Sequence, residues 1–276
     1  MWHAWKGFKK RSKGLGADIN HLFRSKTMEV LTTSNDQLVY NALSFAVAAM
    51  AISFVYYLVS RSRVSPAYRS AVTMSAMICG IAAYHYWRMF VSFSEKAPFN
   101  EGYRYADWLL TVPLLVAELV VVSGIAKEKA KGVTTKLAVA AVLMIAFGYP
   151  GEIAEAGSSA SMIWWVVAMI PFLYILWILF AGEVGQALKG QSGEIGKKLN
   201  NLRYILLITW SVYPIAYLLG DSESFLAKAV GLDSAESSTV IQVGYTIADV
   251  LAKPGYGLLI LGLAIARSKA EGYKEA

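Results

Sequence analysis

The stretch 243–266, "VGYTIADVLAKPGYGLLILGLAIA", decides the fold. Its 24 residues contain only two charged groups, Asp249 and Lys253. A helix needs about 20 mostly apolar residues to cross the hydrocarbon core of a bilayer, so this stretch reads as a membrane span with an ionisable pair near its middle. Reading outward, comparable runs lie at roughly 36–59, 70–93, 102–125, 137–150, 160–182 and 203–220, with the seventh over 239–266. The connections are short, so neighbouring helices run antiparallel in one bundle. The expected fold is an all-α membrane protein, a seven-transmembrane-helix bundle. Its parts are a basic N-terminal extension (1–34), a seven-helix domain (35–267) and a tail (268–276).

Composition agrees: 56% of residues are apolar and only 16% charged, with one cysteine, Cys79. Soluble domains carry about a quarter charged residues, which excludes a water-soluble enzyme, a disordered chain and a disulfide scaffold. The net charge of +7 is distributed by loop. The 60–70, 126–136 and 183–203 loops and the segment from Arg267 onward hold fourteen Lys and Arg, whereas the 94–101, 151–159 and 221–238 loops hold only Lys96 and Lys228. By the positive-inside rule the C-terminus is cytoplasmic and the first span starts outside. The basic charge is thus a topology signal, and no nucleic-acid partner is expected. Residues 1–31 carry seven further basic residues but no apolar core of a signal peptide. An interfacial helix edged by Trp2, Trp5 and Phe8 and a disordered or targeting extension both stay open.

A charge at mid-bilayer costs roughly 2.5–3.5 kcal/mol on insertion scales, which singles out His85, Arg88, Arg104, Asp107, Glu118, Asp249 and Lys253. Asp249 is one turn before Lys253 and on its face. The pair reads equally as a structural ion pair and as an amine committed to covalent chemistry. Arg104, Asp107, Thr111 and Glu118 follow at spacings of 3, 4 and 7 along one helix face. The eleven residues from Asp107 to Glu118 span about 16 Å, putting two carboxylates at different depths, as in a proton relay. Trp210, Tyr213 and Tyr217 form one face of a helix that Pro214 interrupts. With Trp108 they frame a slot for a long, flat, apolar ligand. No metal site is expected.

These residues carry a family resemblance. The runs "RYADWLLTVPLL" (104–115), "WSVYPIAYLLG" (210–220) and "DVLAKPGYGLL" (249–259) resemble the microbial (type I) rhodopsins in order and spacing. The resemblance implies all-trans retinal bound to Lys253 as a protonated Schiff base. It makes Asp107 the proton acceptor, Asp249 the second counter-ion, Arg104 the gate and Glu118 the cytoplasmic donor. Tyr86, Tyr105, Trp108, Leu115, Trp165, Phe172, Trp210, Tyr213, Pro214 and Tyr217 would surround the chromophore, with Met144 and Gly148 of "LMIAFGYPGEI" near its ring. The triplet Asp107, Thr111, Glu118 is similar to that of the proteorhodopsin and xanthorhodopsin branch of outward proton pumps. His85 of "YHYWRMF" matches that branch's histidine, which bonds to the acceptor.

Leu115 stands at the spectral-tuning position and implies green absorption. Trp165 replaces the glycine of carotenoid-binding members, so no carotenoid antenna is expected. The proton-release pair of haloarchaeal pumps has no match in the 221–238 loop. The expected setting is the lipid of a bacterial-type cytoplasmic (inner) membrane, with protons as the transported partner and a homo-oligomeric assembly. The competing readings are a sensory photoreceptor on the same scaffold and a seven-helix receptor or transporter without chromophore.

Overall fold

The computed structural model describes residues 33–97 and 100–274; nearly all of the basic extension lies outside the described residues. The helices are α1 (Ser34–Ser60), α2 (Arg69–Ser94), α3 (Gly102–Ser123), α4 (Lys127–Glu152), α5 (Ser159–Phe180), α6 (Glu183–Lys189), α7 (Gly193–Gly220), α8 (Phe225–Val230), α9 (Ser234–Val250) and α10 (Tyr256–Ala270). A single π-helical turn, Leu251–Gly255, joins α9 to α10, so Ser234–Ala270 forms one rod. With α1 to α5 and α7 it makes seven long rods, and α6 and α8 are short connectors. In sequence order, α1 packs on α2, α2 on α3, α3 on α4 and α4 on α5. The α9–α10 rod closes the bundle against α1, α2 and α7.

Six of the rods are long and apolar enough to cross a membrane. The exception, α2, has the length but carries four serines, His85 and two arginines. Its polar residues have inward duties: Ser75 and Tyr86 bond to buried carboxyls on other helices. Polarity bound inside the bundle does not oppose burial of the helix.

Two rods outrun the apolar segments that marked them. The fourth span, expected over 137–150, begins at Lys127, and the sixth, expected from 203, begins at Gly193. The added turns, "KEKAKGVTTK" and "GEIGKKLNNL", are rich in helix-favouring Lys, Glu and Leu. Hydropathy marks the lipid-crossing part of a helix, whereas helix propensity extends it into the interface. Arg203, read from sequence as a loop cation, is buried within α7 and donates to the Leu179 carbonyl near the end of α5 at 3.0 Å. There it neutralises the negative end of that helix.

Helix ends are closed locally. Thr33 and Asp36 form a reciprocal cap at the start of α1. Gly124, at φ 79°, ends α3 in a left-handed turn, and Arg267 Nε and Gln191 Nε2 take the freed carbonyls of Val122 and Ser123, both at 2.6 Å. Large apolar side chains such as Phe45, Ile52, Ile170, Trp177 and Ile208 stay exposed around the rods, as the belt of a lipid-embedded bundle requires.

Candidate functional site

The site starts from the π turn. Pro254 has no N–H to give to the Val250 carbonyl, and the Tyr256 N–H reaches back five residues to the Leu251 carbonyl. This widened turn carries Lys253, which is 2% exposed. The turn is held from α1, where the Tyr57 phenol donates to the Pro254 carbonyl. Gly257 allows that approach, because a Cβ there would lie 2.7 Å from the Tyr57 ring.

Lys253 Nζ donates to Asp107 Oδ2 and, at 3.0 Å, to Asp249 Oδ2. The two aspartates differ in their surroundings. Asp249 also accepts from Tyr86 Oη at 2.8 Å, Tyr213 Oη at 2.6 Å and Trp108 Nε1 at 3.1 Å. Asp107 Oδ1 is buried with no hydrogen-bond partner among the described residues. Three side chains from α2, α3 and α7 thus hold Asp249 in place, while Asp107 has capacity to spare.

The structure differs from expectation at His85 and Arg88. His85 Nδ1 donates to the Ile81 carbonyl at 3.0 Å and stops 4.0 Å from Asp107 Oδ1, so no His85–Asp107 hydrogen bond is present. Its own helix turn supplies the nearer acceptor. Thr111 Oγ1 donates to the Asp107 backbone carbonyl at 2.9 Å and leaves the carboxylate alone. Arg88 lies outside the site, donating to Tyr103 Oη at 2.7 Å on the exposed side of α2.

Arg104 is fully buried beyond Asp107. It donates to Glu101 Oε2 at 2.7 Å and to Gln242 Oε1 at 2.9 Å, and Gln242 donates to Glu101 Oε1 at 2.7 Å. The guanidinium sits 5.0 Å from the centre of the Tyr245 ring. Nearby, Tyr105 Oη donates to Glu152 Oε2 at 3.1 Å. Glu101, Gln242 and Glu152 were not picked out from sequence. They sit at helix ends or in a polar stretch, where an acid or amide ordinarily faces water; Glu101 is one turn from Arg104, and packing brings Gln242 to both.

Glu118 lies at the other end of the site. It is fully buried on α3, accepts from Ser75 Oγ at 2.6 Å, and forms no ion pair among the described residues. Ser75 was likewise missed, since a serine in a span is a common packing residue.

A cavity opens beside Lys253. Tyr105, Trp108, Leu115, Met144, Gly148, Trp165, Phe172, Trp210, Tyr213, Pro214 and Tyr217 all line it, joined by Val112, Ile145, Ala168, Met169 and Tyr245. Tyr86 stays outside this lining and acts on Asp249. The walls are almost wholly apolar and aromatic, and the charged groups, Lys253 and Asp249, lie together. A primary amine backed by carboxylates in an apolar slot fits a long polyene aldehyde: carbon along the slot, carbonyl at Nζ. Trp165 crosses from α5 to α7, where its Nε1 donates to the Pro214 carbonyl at 3.2 Å.

The family described as bacteriorhodopsin-like protein matches residues 38–267. A green-light absorbing proteorhodopsin from the gamma-proteobacterium EBAC31A08 is 32% identical over 235 residues, covering 83% of this chain and 88% of that protein. A sensory rhodopsin-2 of Haloarcula vallismortis is 33% identical over 190 residues, covering 67% and 73%. The crystal structure of xanthorhodopsin, described as a light-driven ion pump with dual chromophore, superposes with a TM-score of 0.80 at 41% identity, covering 88% of this chain and 99% of that one. The chain belongs to the bacteriorhodopsin-like family and is a microbial rhodopsin of the proteorhodopsin and xanthorhodopsin type.

Proposed function

We propose that this protein is a light-driven outward proton pump, a membrane transporter rather than an enzyme, with all-trans retinal held on Lys253. The observation that carries the reading is the pair of buried carboxyls on α3, Asp107 bonded to Lys253 Nζ and Glu118 eleven residues further along the helix. When bound, retinal supplies absorption of visible light and an isomerisation that re-aims the proton held at Nζ. Asp107 accepts that proton, because its Oδ2 already faces Nζ and its Oδ1 has no partner among the described residues. Asp249 remains a carboxylate under three donors and keeps Nζ oriented. Arg104, tied to Glu101 and Gln242, stands on the way out.

Glu118 returns a proton to Nζ. A charged carboxylate there would be buried without a counter-ion, so the site accommodates the neutral acid until its proton is needed. Each proton moved against 100 mV requires about 2.3 kcal/mol. The basic loops face the cytoplasm and Arg104 faces outward, which sets the direction of transport. Trp165 supports the absence of a carotenoid antenna: its indole closes the passage between α5 and α7 and is anchored there by a hydrogen bond.

The test is illumination of unbuffered cells expressing the protein with retinal, with and without a protonophore. Acidification that the protonophore abolishes is the expected result. A visible band with no acidification would establish the sensory reading instead.

A further inference from the structure

Among the described residues, the acids outward of Asp107 and Asp249 are engaged or exposed, with one exception. Asp36 caps α1, and Asp233 and Glu236 form the reciprocal cap of α9. Asp221 accepts from the Gly157 and Glu223 N–H groups, both at 2.9 Å, and Glu223 pairs with Lys228 at 2.8 Å. Glu95 and Glu155 are exposed. Glu101 accepts from Arg104 and from Gln242. Glu152 is the exception: it is half-buried and forms no ion pair among the described residues.

Two features suit Glu152 to hold a proton. It is the last residue of α4, so the negative end of the helix as well as burial opposes a carboxylate there. Its Oε2 accepts from Tyr105 Oη at 3.1 Å, a bond that the neutral acid accepts too. Tyr105 also ties it to the reaction centre. The Tyr105 ring lines the cavity beside Lys253 and packs 5.1 Å from the Trp108 ring, whose Nε1 donates to Asp249. Tyr105 and Arg104 share the turn of α3 that precedes Asp107, and from that turn they engage Glu152 and Glu101. The neighbouring phenols bring no charge: Tyr149 lies 5.1 Å from the Tyr105 ring, and Tyr217 bonds to Ser161 Oγ at 2.8 Å.

We propose that Glu152 is the carboxyl from which a proton leaves to the outside, held by Tyr105 until Asp107 is neutralised. The inference rests on the pump reading above. While Asp107 is a carboxylate it offsets the charge of Arg104, three residues earlier on the same helix face. Once Asp107 takes the proton from Nζ that offset is gone, and the guanidinium favours a new anion beside its own turn. The Glu152 O–H bond then breaks and the proton passes to water at the outward surface, which a half-buried group can reach. At the end of the cycle the Asp107 O–H bond breaks and a Glu152 O–H bond forms, so one proton leaves per cycle and both acids are reset.

The test uses the full-length chain with all-trans retinal in detergent micelles, a pH-sensitive dye in the surrounding water, flash photolysis and light-minus-dark infrared spectroscopy. In wild type, proton release should precede proton uptake within the range pH 5 to 8, and a carbonyl band should be lost as the Asp107 band appears. In Glu152→Gln that band should be missing and release should follow uptake, whereas Glu155→Gln, a change at an exposed neighbour, keeps the wild-type order. Uptake before release in wild type throughout the range, or early release retained in Glu152→Gln, would overturn the proposal. Illuminated cells carrying Glu152→Gln should still acidify the medium, because Asp107 then discharges directly; absence of acidification by wild type would instead remove the pump reading on which the proposal rests. Where Glu152→Gln does not bind retinal, wild type with isotope-labelled glutamate decides. The carbonyl band lost during release should shift with the label, and a band that does not shift belongs to another group and overturns the assignment.

Discussion

Lys253 faces two aspartates that the structure treats unequally, and the difference separates their variants. Asp249 gathers Tyr86, Trp108, Tyr213 and Lys253, so Asp249→Ala strands three buried donors and a cation. Breaking a buried ion pair from one side costs about 3–5 kcal/mol, and thermal loss of the visible band should show a drop of that order. Asp107→Asn removes one carboxylate whose second oxygen has no partner among the described residues. This variant should fold nearly as well but stop pumping, with its band shifted to the red because a counter-ion of the cation is gone. Titrating wild type to low pH should produce the same red shift as Asp107 takes up a proton; a band flat between pH 4 and 9 would count against that role. Lys253→Ala should insert in the membrane and remain colourless with retinal, and a retained visible band would remove Lys253 from its role.

At the scale of the helices, the π turn and the α5–α7 passage carry the testable geometry. Gly257 lets the Tyr57 ring lie against α10, and a methyl group there would meet it at 2.7 Å. Gly257→Ala should therefore push Tyr57 off the Pro254 carbonyl and loosen the turn that holds Lys253. Overpacking of this kind costs about 1–3 kcal/mol, readable as faster thermal bleaching than wild type. In the passage, Trp165→Gly removes both an indole and its bond to Pro214. Excitation spectra with added hydroxylated carotenoid should show energy transfer to retinal in the variant and none in wild type, and transfer in wild type would refute the closed passage.

For the whole molecule, the prediction concerns proton supply. Glu118→Gln keeps the size and polarity of the donor but cannot deliver a proton, so reprotonation must come from bulk water. Its rate should fall roughly tenfold per pH unit as proton concentration drops, while wild type shows a much weaker dependence. Flash photolysis between pH 6 and 9 separates the two, and a variant as fast as wild type throughout would remove Glu118 from the path. The same long-range logic explains what was legible beforehand. Seven spans showed as apolar runs because lipid demands them of any crossing helix. Asp107, Glu118, Asp249 and Lys253 showed because a charge inside such a run is expensive enough to need a reason.

The sequence by itself determined the bundle, the charged pair on the last rod and the two carboxyls on the third, since each follows from hydropathy, helical spacing and the family motifs within one segment. Only the tertiary structure decided which partners those groups have. Ser75 reaching Glu118, Tyr86 and Tyr213 sharing Asp249, and Glu101 and Gln242 closing on Arg104 are contacts across 36 to 163 positions of chain, except the single-turn Glu101–Arg104 pair. The turning of His85 toward Ile81 rather than Asp107 was decided there too. The physical reason is that a hydrogen bond depends on direction within tenths of an ångström. Residue spacing fixes only the face of a helix, and how the helices pack sets the rest.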